Sequence, residues 1–157
     1  MKHRNPYKEK FYIDIMKLAG FNFNKINVER SGELPKELKI NSNIDVLNIK
    51  DVKSDFFKVK EQLVEVSFNY KINYLPDYAT LELGGNIILS LEPKIARDVL
   101  AQWKEKKMPV EFKIALFNFI IRKSSVKALQ LEEEMNLPYH IPFPSVKAPV
   151  DNSEEKK

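Results

Sequence analysis

The chain has no cysteine, two histidines and four glycines in 157 residues. Without cysteine there is no disulfide framework and no zinc site built on thiolates, and His3 and His140 are too few for an ordinary histidine metal site. The glycines are Gly20, Gly32, Gly84 and Gly85, and neither GK[ST] nor GxGxxG surrounds them. A glycine-rich phosphate loop is therefore not expected. Long apolar runs are missing too. The most apolar stretch, residues 109–121, carries Glu111 and Lys113 and falls short of the roughly 18 to 20 residues that span a bilayer. The N-terminal segment contains Asp14 and lacks a small-residue cleavage site of the signal-peptide kind. No cofactor, no metal, no membrane insertion and a cytoplasmic location are the expectations.

Arginine is scarce as well. Lys and Arg together number 26 against 22 acids, a net charge of +4, but only Arg4, Arg30, Arg97 and Arg122 are arginine. Arginine is the preferred residue for bidentate phosphate and guanine contacts, so a basic RNA- or ribosome-associated module is the second reading of this charge. Lysines dispersed among acids read first as a solvated mixed-charge surface.

What is present suffices for one domain. A chain of this length buries roughly two thirds of the surface its unfolded form exposes, and its core can stand without staples. The pattern divides it into an N-terminal helix (1–20), a single α+β domain (21–147) and a solvated tail (148–157). Asn5, Pro6 and Gly20 supply helix start and stop signals around Phe11, Ile15 and Leu18. A strand follows in FNFNKINVE, where the apolar phase moves from Phe21 and Phe23 to Ile26 and Val28, as one β-bulge would cause. Leu38, Ile40, Ile44 and Val46 share a phase that Leu47 and Ile49 leave, which predicts a long bent strand.

The strongest signal is a hairpin. Val64, Val66, Phe68, Tyr70, Ile72 and Tyr74 alternate with polar residues, and after a loop at residues 75–78 the odd positions Ala79, Leu81, Leu83, Ile87, Leu89 and Leu91 become the apolar set. That register sets Ile72 opposite Leu81, Tyr70 opposite Leu83, Val66 opposite Ile87 and Phe68 opposite Gly85. A glycine there leaves room for the aromatic ring or marks a bulge.

Two helices come next. The first opens at Glu92 and Pro93 and carries the stripe Ile95, Ala96, Val99, Leu100 and Trp103; the second runs from Met108 and Pro109 to about Asn136. Its first turns are apolar nearly all round, with Phe112, Leu116, Phe119 and Ile120 on one side and Ile114, Phe117 and Ile121 on another. Such a helix is buried on more than one face, against its own chain, a second subunit or an apolar ligand. The exit NLPYHIPFPSVKAP has four prolines that prevent helix and favour extended backbone, while Leu137, Tyr139, Ile141 and Phe143 can each bury a side chain.

Catalytic patterns are not found. Ser124 and Ser125 lie within a helix with no GxSxG and no neighbouring histidine, Glu132, Glu133 and Glu134 read as solvent-facing charges, and His140 has no orienting partner in sequence. No enzyme is expected. The candidate contacts for a partner are Phe56 and Phe57, which stand beside Lys58 and Lys60 as stacking aromatics, and Phe112, Phe119 and Ile120 on the apolar helix.

The order of elements, from FNFNKINVE through ELKINSNIDVLNIKDVKSD and the hairpin LVEVSFNYKINYLPDYATLELGGNIILSL to two helices and LPYHIPFP, resembles the SecB-like chaperones over residues 21–146. The resemblance implies a four-stranded antiparallel sheet with helices on one face, assembly into homo-oligomers, and an ATP-independent holdase for unfolded polypeptide clients or preprotein segments. The export chaperones of that family are acidic, whereas this chain is basic, so delivery to a secretion motor does not carry over.

Overall fold

The computed structural model describes residues 16–53 and 61–150. Four strands, β1 (Met16–Arg30), β2 (Lys39–Val52), β3 (Gln62–Leu75) and β4 (Ala79–Leu91), form one antiparallel sheet in the order β1-β4-β3-β2. Helices α1 (Pro93–Trp103) and α2 (Val110–Glu134) follow. Helix α1 packs over β2 and β3, and α2 packs over β3 and β4, so one face of the sheet is covered. Trp103 Nε1 donates to Asn48 Oδ1 at 3.4 Å and ties the end of α1 to β2.

The core lies between the helices and the alternate residues of β3 and β4. Val64, Val66, Phe68, Tyr70, Ile72 and Tyr74 are buried, as are Leu81, Leu83, Ile87, Leu89 and Leu91. The hairpin register is the expected one, with Ile72 opposite Leu81, Tyr70 opposite Leu83, Phe68 opposite Gly85 and Val66 opposite Ile87. Its turn closes with Tyr78 N–H on the Tyr74 carbonyl at 2.9 Å, and the Leu75–Pro76 peptide within it is cis.

Each change of apolar phase is a bulge. Between Phe23 and Lys25 the pairing with β4 slips, which keeps Phe21, Phe23, Ile26 and Val28 all on the core side. Between Val46 and Asn48 the pairing with β3 slips, which leaves Leu47 exposed and returns Ile49 to the core. A third slip lies between Leu18 and Gly20.

That third slip belongs to a correction. Residues 16–20, expected as the end of an N-terminal helix, are strand: Met16 pairs with Leu91, Leu18 with Leu89 and Gly20 with Ile88. Pairing to β4 buries Met16 completely and half-buries Leu18, a gain in apolar burial that local helix signals do not match. Gly20 is a strand residue, not a helix stop. The rest of that expected helix lies outside the described residues.

Gly85 does what its register implies and more. A Cβ there would lie 2.3 Å from the Asn22 carbonyl oxygen of β1 and 3.1 Å from the Phe68 ring, so the strand approaches its neighbours at a distance that only glycine permits.

Candidate functional site

Helix α2 has two apolar sides, and the structure decides which faces the sheet. Phe112, Leu116, Ile120, Ser124, Ala128 and Glu132 recur every fourth residue and are all fully buried. Of the expected partner contacts, Phe112 and Ile120 therefore fill this chain's own core, and Phe119 is half-buried against it. Phe56 and Phe57 lie outside the described residues. The other side is Val110, Ile114, Phe117 and Ile121, at spacings of four, three and four: Val110, Ile114 and Ile121 are 67%, 37% and 43% exposed, and Phe117 is half-buried against the core. That spacing is the seam of a helix that packs on another helix.

A second apolar surface runs along β1, at one edge of the sheet. Phe21, Phe23 and Val28 are half-buried on the core side and Ile26 is 49% exposed. Phe21 and Phe23 meet edge to face at 5.0 Å between ring centres, and Phe21 lies 5.5 Å from Phe68. Within the described residues an edge strand presents unpaired backbone N–H and C=O groups, which an added strand can pair with.

The polar side of the sheet is chemically different. Lys25 meets Glu82 at 2.8 Å, Lys50 meets Glu65 at 3.3 Å and Lys17 meets Glu61 at 3.6 Å. Hydrogen bonds to these partners, led by Ser90 for Glu61 and by Lys25 for Glu82, hold both carboxyls below the usual range.

At the C-terminal end of α2 the chain makes an arrangement that the local sequence pattern does not reveal. Asn136 takes a left-handed φ of 51°, its N–H bonds to the Glu133 carbonyl at 3.3 Å, and Leu137 N–H bonds to the Glu132 carbonyl at 2.8 Å. This pair of bonds stops the helix, with Leu131 and Leu137 both buried beside it. Arg30 Nη1 donates to the Met135 carbonyl at 3.1 Å. Pro138 then keeps the chain out of helix, and it returns along α2.

His140 lands on Glu132. The carboxylate is fully buried and accepts from Tyr74 Oη at 2.5 Å, from His140 N–H at 3.1 Å and from His140 Nδ1 at 2.8 Å; its second oxygen lies 3.1 Å from Nδ1. The His140 side chain is 4% exposed, and its Nε2 lies 3.2 Å from Ser125 Oγ. The Tyr70 ring stands edge-on to the imidazole at 6.4 Å. Burial pushes the Tyr74 phenol far up, the bond to Glu132 adding to it, and burial likewise raises Tyr70.

Three readings made from sequence change here. Glu132 is not a solvent-facing charge, Ser125 has a neighbouring histidine, and His140 has an orienting carboxylate. The helical row that begins at Phe112 carried the signal, since four-residue steps from it reach Glu132. Nothing local placed His140, because its partner lies across a helix terminus.

A serine, a histidine and a carboxylate in line suggest nucleophilic chemistry, which also needs preorganised donors for the developing oxyanion. Ser125 sits inside α2, where its own backbone N–H belongs to the helix. The cluster's clear physical effect is to fasten residues 137–140 to the helix: a buried carboxylate left without these donors is strongly unfavourable. Among the described residues no group of His, Asp and Glu is arranged to hold a metal ion, and no helix is long and apolar enough to cross a membrane.

No family model matches the sequence and no curated protein matches it. Among solved structures, the chain is similar to the SecB-like chaperone Rv1957 of Mycobacterium tuberculosis, solved in complex with a ChAD peptide from the Rv1956 HigA1 antitoxin. The identity is 10% and the TM-score 0.51, over 88% of this chain and 96% of that one, so the likeness is one of fold.

Proposed function

We propose that this chain is an ATP-independent holdase that binds extended, unfolded polypeptide segments and works as a homo-oligomer in the cytoplasm. The observation that carries the reading is the amount of ordered apolar surface left open around a well-packed core: Val110, Ile114 and Ile121 on α2, with Phe117 half-buried between them, and the inner side of β1. The two surfaces suit two different uses. A helical seam of this spacing suits a second copy of α2. An edge strand with aromatic residues on its inner side suits an extended segment, held by main-chain hydrogen bonds and by pockets for alternate side chains.

The fold shared with a SecB-like chaperone solved with a peptide supports the same reading. The pairing of Lys17, Lys25 and Lys50 with acids breaks up positive potential on the polar side of the sheet, which weighs against RNA as the partner. The test is suppression of aggregation of a chemically unfolded client at stoichiometric amounts, without nucleotide, with the native mass measured on the same sample. Suppression by an oligomer is the expected result; no suppression at any ratio sinks the reading.

A further inference from the structure

Three departures from a regular sheet meet at one place, on the side away from the helices. Strand β1 bulges at Asn24, between the Phe23–Gly85 and Lys25–Gly84 pairs, and β2 bulges at Leu47, between the Val46–Phe68 and Asn48–Ser67 pairs. Between the two bulges β4 carries Gly84 and Gly85. Bulges re-aim side chains and are over-represented beside functional sites. Successive residues of a strand point to opposite faces, so Ser67 and Asn69 on β3 and Glu82, Gly84 and Asn86 on β4 face outward, while Phe68, Leu83 and Ile87 face the core. With no side chain at Gly84 to fill the outer face, a hollow of about 310 Å³ is left, lined by the carboxamides of Asn24, Asn69 and Asn86, the Ser67 hydroxyl, the Leu47 side chain and the Lys25–Glu82 pair. A Cβ at residue 84 would lie 3.1 Å from Lys25 Cβ, 3.3 Å from Asn24 Oδ1 and 3.8 Å from Asn69 Oδ1, so these groups converge on one point.

The lining decides what suits the hollow. Lys25 and Glu82 meet at 2.8 Å and cancel each other, which leaves no free charge to hold an anion or a cation. An extended peptide would need unpaired main-chain groups, and β3 and β4 are the inner strands, each paired on both sides. Carboxamides and a hydroxyl both donate and accept, and among the described residues no protein group bonds to the side chains of Asn24, Ser67 and Asn86. Their natural complement is a neutral ligand whose groups also do both, namely a set of adjacent hydroxyls. Leu47, 58% exposed at the rim, offers an apolar wall to the C–H side of such a ligand. A volume at the lower end of the roughly 300–1,000 Å³ of small-molecule sites suits a single ring.

We propose that this hollow binds one hexopyranose ring, with Asn24, Asn69, Asn86 and Ser67 as hydrogen-bonding partners of its hydroxyls and Leu47 as its apolar wall. The site is separate from the apolar surfaces of α2 and β1 and does not depend on the holdase reading.

The experiment titrates glucose, galactose and mannose, and their methyl glycosides, into the ¹⁵N-labelled full chain and follows backbone and asparagine side-chain amides by TROSY NMR. Saturable shifts at Asn24, Asn69 and Asn86 are expected with at least one sugar, at a Kd of about 1–10 mM for a ring held on one side only. Asn69→Ala and Asn86→Ala each remove a partner and are expected to weaken binding about three- to tenfold, the effect of one neutral hydrogen bond. Gly84→Ala sets a methyl group in the floor and is expected to weaken it at least as much. Asn41→Ala, further along the outer face of β2, is expected to leave it unchanged. Circular dichroism of each variant checks that the fold persists. Binding of a free sugar but not its glycoside identifies a free monosaccharide as the ligand, and binding of both identifies a ring at the end of a glycan. No saturable shift with any sugar overturns the proposal, as do unchanged binding in Asn69→Ala and Asn86→Ala and equal shifts from inorganic phosphate or N-methylacetamide. None of these results alters the aggregation test of the holdase reading.

Discussion

At residue 85 a methyl group has no space. Its position would be 2.3 Å from a backbone oxygen of β1, which can move only if the β1–β4 pairing moves, so Gly85→Ala is expected to destabilise the chain by about 2–3 kcal/mol, at the upper end of overpacking costs. Gly84→Ala meets the Lys25 Cβ at 3.1 Å and is expected to cost less, a contrast that urea unfolding midpoints of the two variants would measure. The buried carboxylate makes a second contrast. Tyr74→Phe removes one charge-assisted hydrogen bond, expected to cost about 1.5–3 kcal/mol, whereas Glu132→Ala leaves Tyr74 and His140 without their acceptor and is expected to cost at least as much. The same environment sets an alkaline limit. Burial holds the Tyr74 and Tyr70 phenols neutral above their ordinary value of about 10, so their contribution is complete below that pH and is lost as pH rises above it. Unfolding free energy is expected to fall through that range, with the absorbance of tyrosinate from these two residues rising only as the chain unfolds. Gly85 was legible from register alone. Glu132 was not, because a charge near a helix end is usually solvated and only the row it continues says otherwise.

Among the elements, α2 teaches most. Its sequence shows that two sides are apolar, but not which of them the sheet will take. The row of Phe112, Leu116, Ile120 and Ala128 won, as the row that stays fully buried against β3 and β4. Ile120→Ala is therefore expected to cost about 2–5 kcal/mol as a core truncation. Ile114→Asp and Ile121→Asp change exposed positions, so the fold is expected to survive. What should change is native mass: if the open stripe is an assembly seam, these variants lower it while the circular dichroism spectrum and unfolding midpoint stay near those of the wild type. An unchanged mass would remove α2 as the assembly surface. The strands were easier to read, since a period of two leaves little choice of face and each departure from it, at residues 24 and 47, had to be a bulge. The start of β1 was the exception. Met16 and Leu18 satisfy a helical spacing as well as an alternating one, and only the partner strand, distant in sequence, decides between them.

At the scale of the whole molecule, the two sides of the sheet differ in character. One side and its helices hold the core and the open apolar surfaces; the other carries Lys25 and Lys50, which meet glutamates across neighbouring strands, and Lys17, which meets Glu61 just before β3. Net charge alone, at +4, therefore overstates the positive potential available to an anionic partner. This separates the two functional readings by salt. An interaction driven by phosphate contacts weakens steeply, by about 10³-fold or more between roughly 50 and 200 mM salt when six or more contacts are made, because counterions are released. An interaction that buries apolar side chains against β1 and pairs main-chain groups at its edge releases few ions, and apolar burial is strengthened by salts that are excluded from protein surfaces. Binding of an unfolded client, titrated at several salt concentrations, is thus expected to hold its affinity within about threefold across that range, the change allowed by exposed ion pairs that contribute no more than about 1 kcal/mol each. A steep loss would mean that the lysines are less occupied by their glutamates than the geometry indicates, and would return the polar side of the sheet to consideration as the binding face.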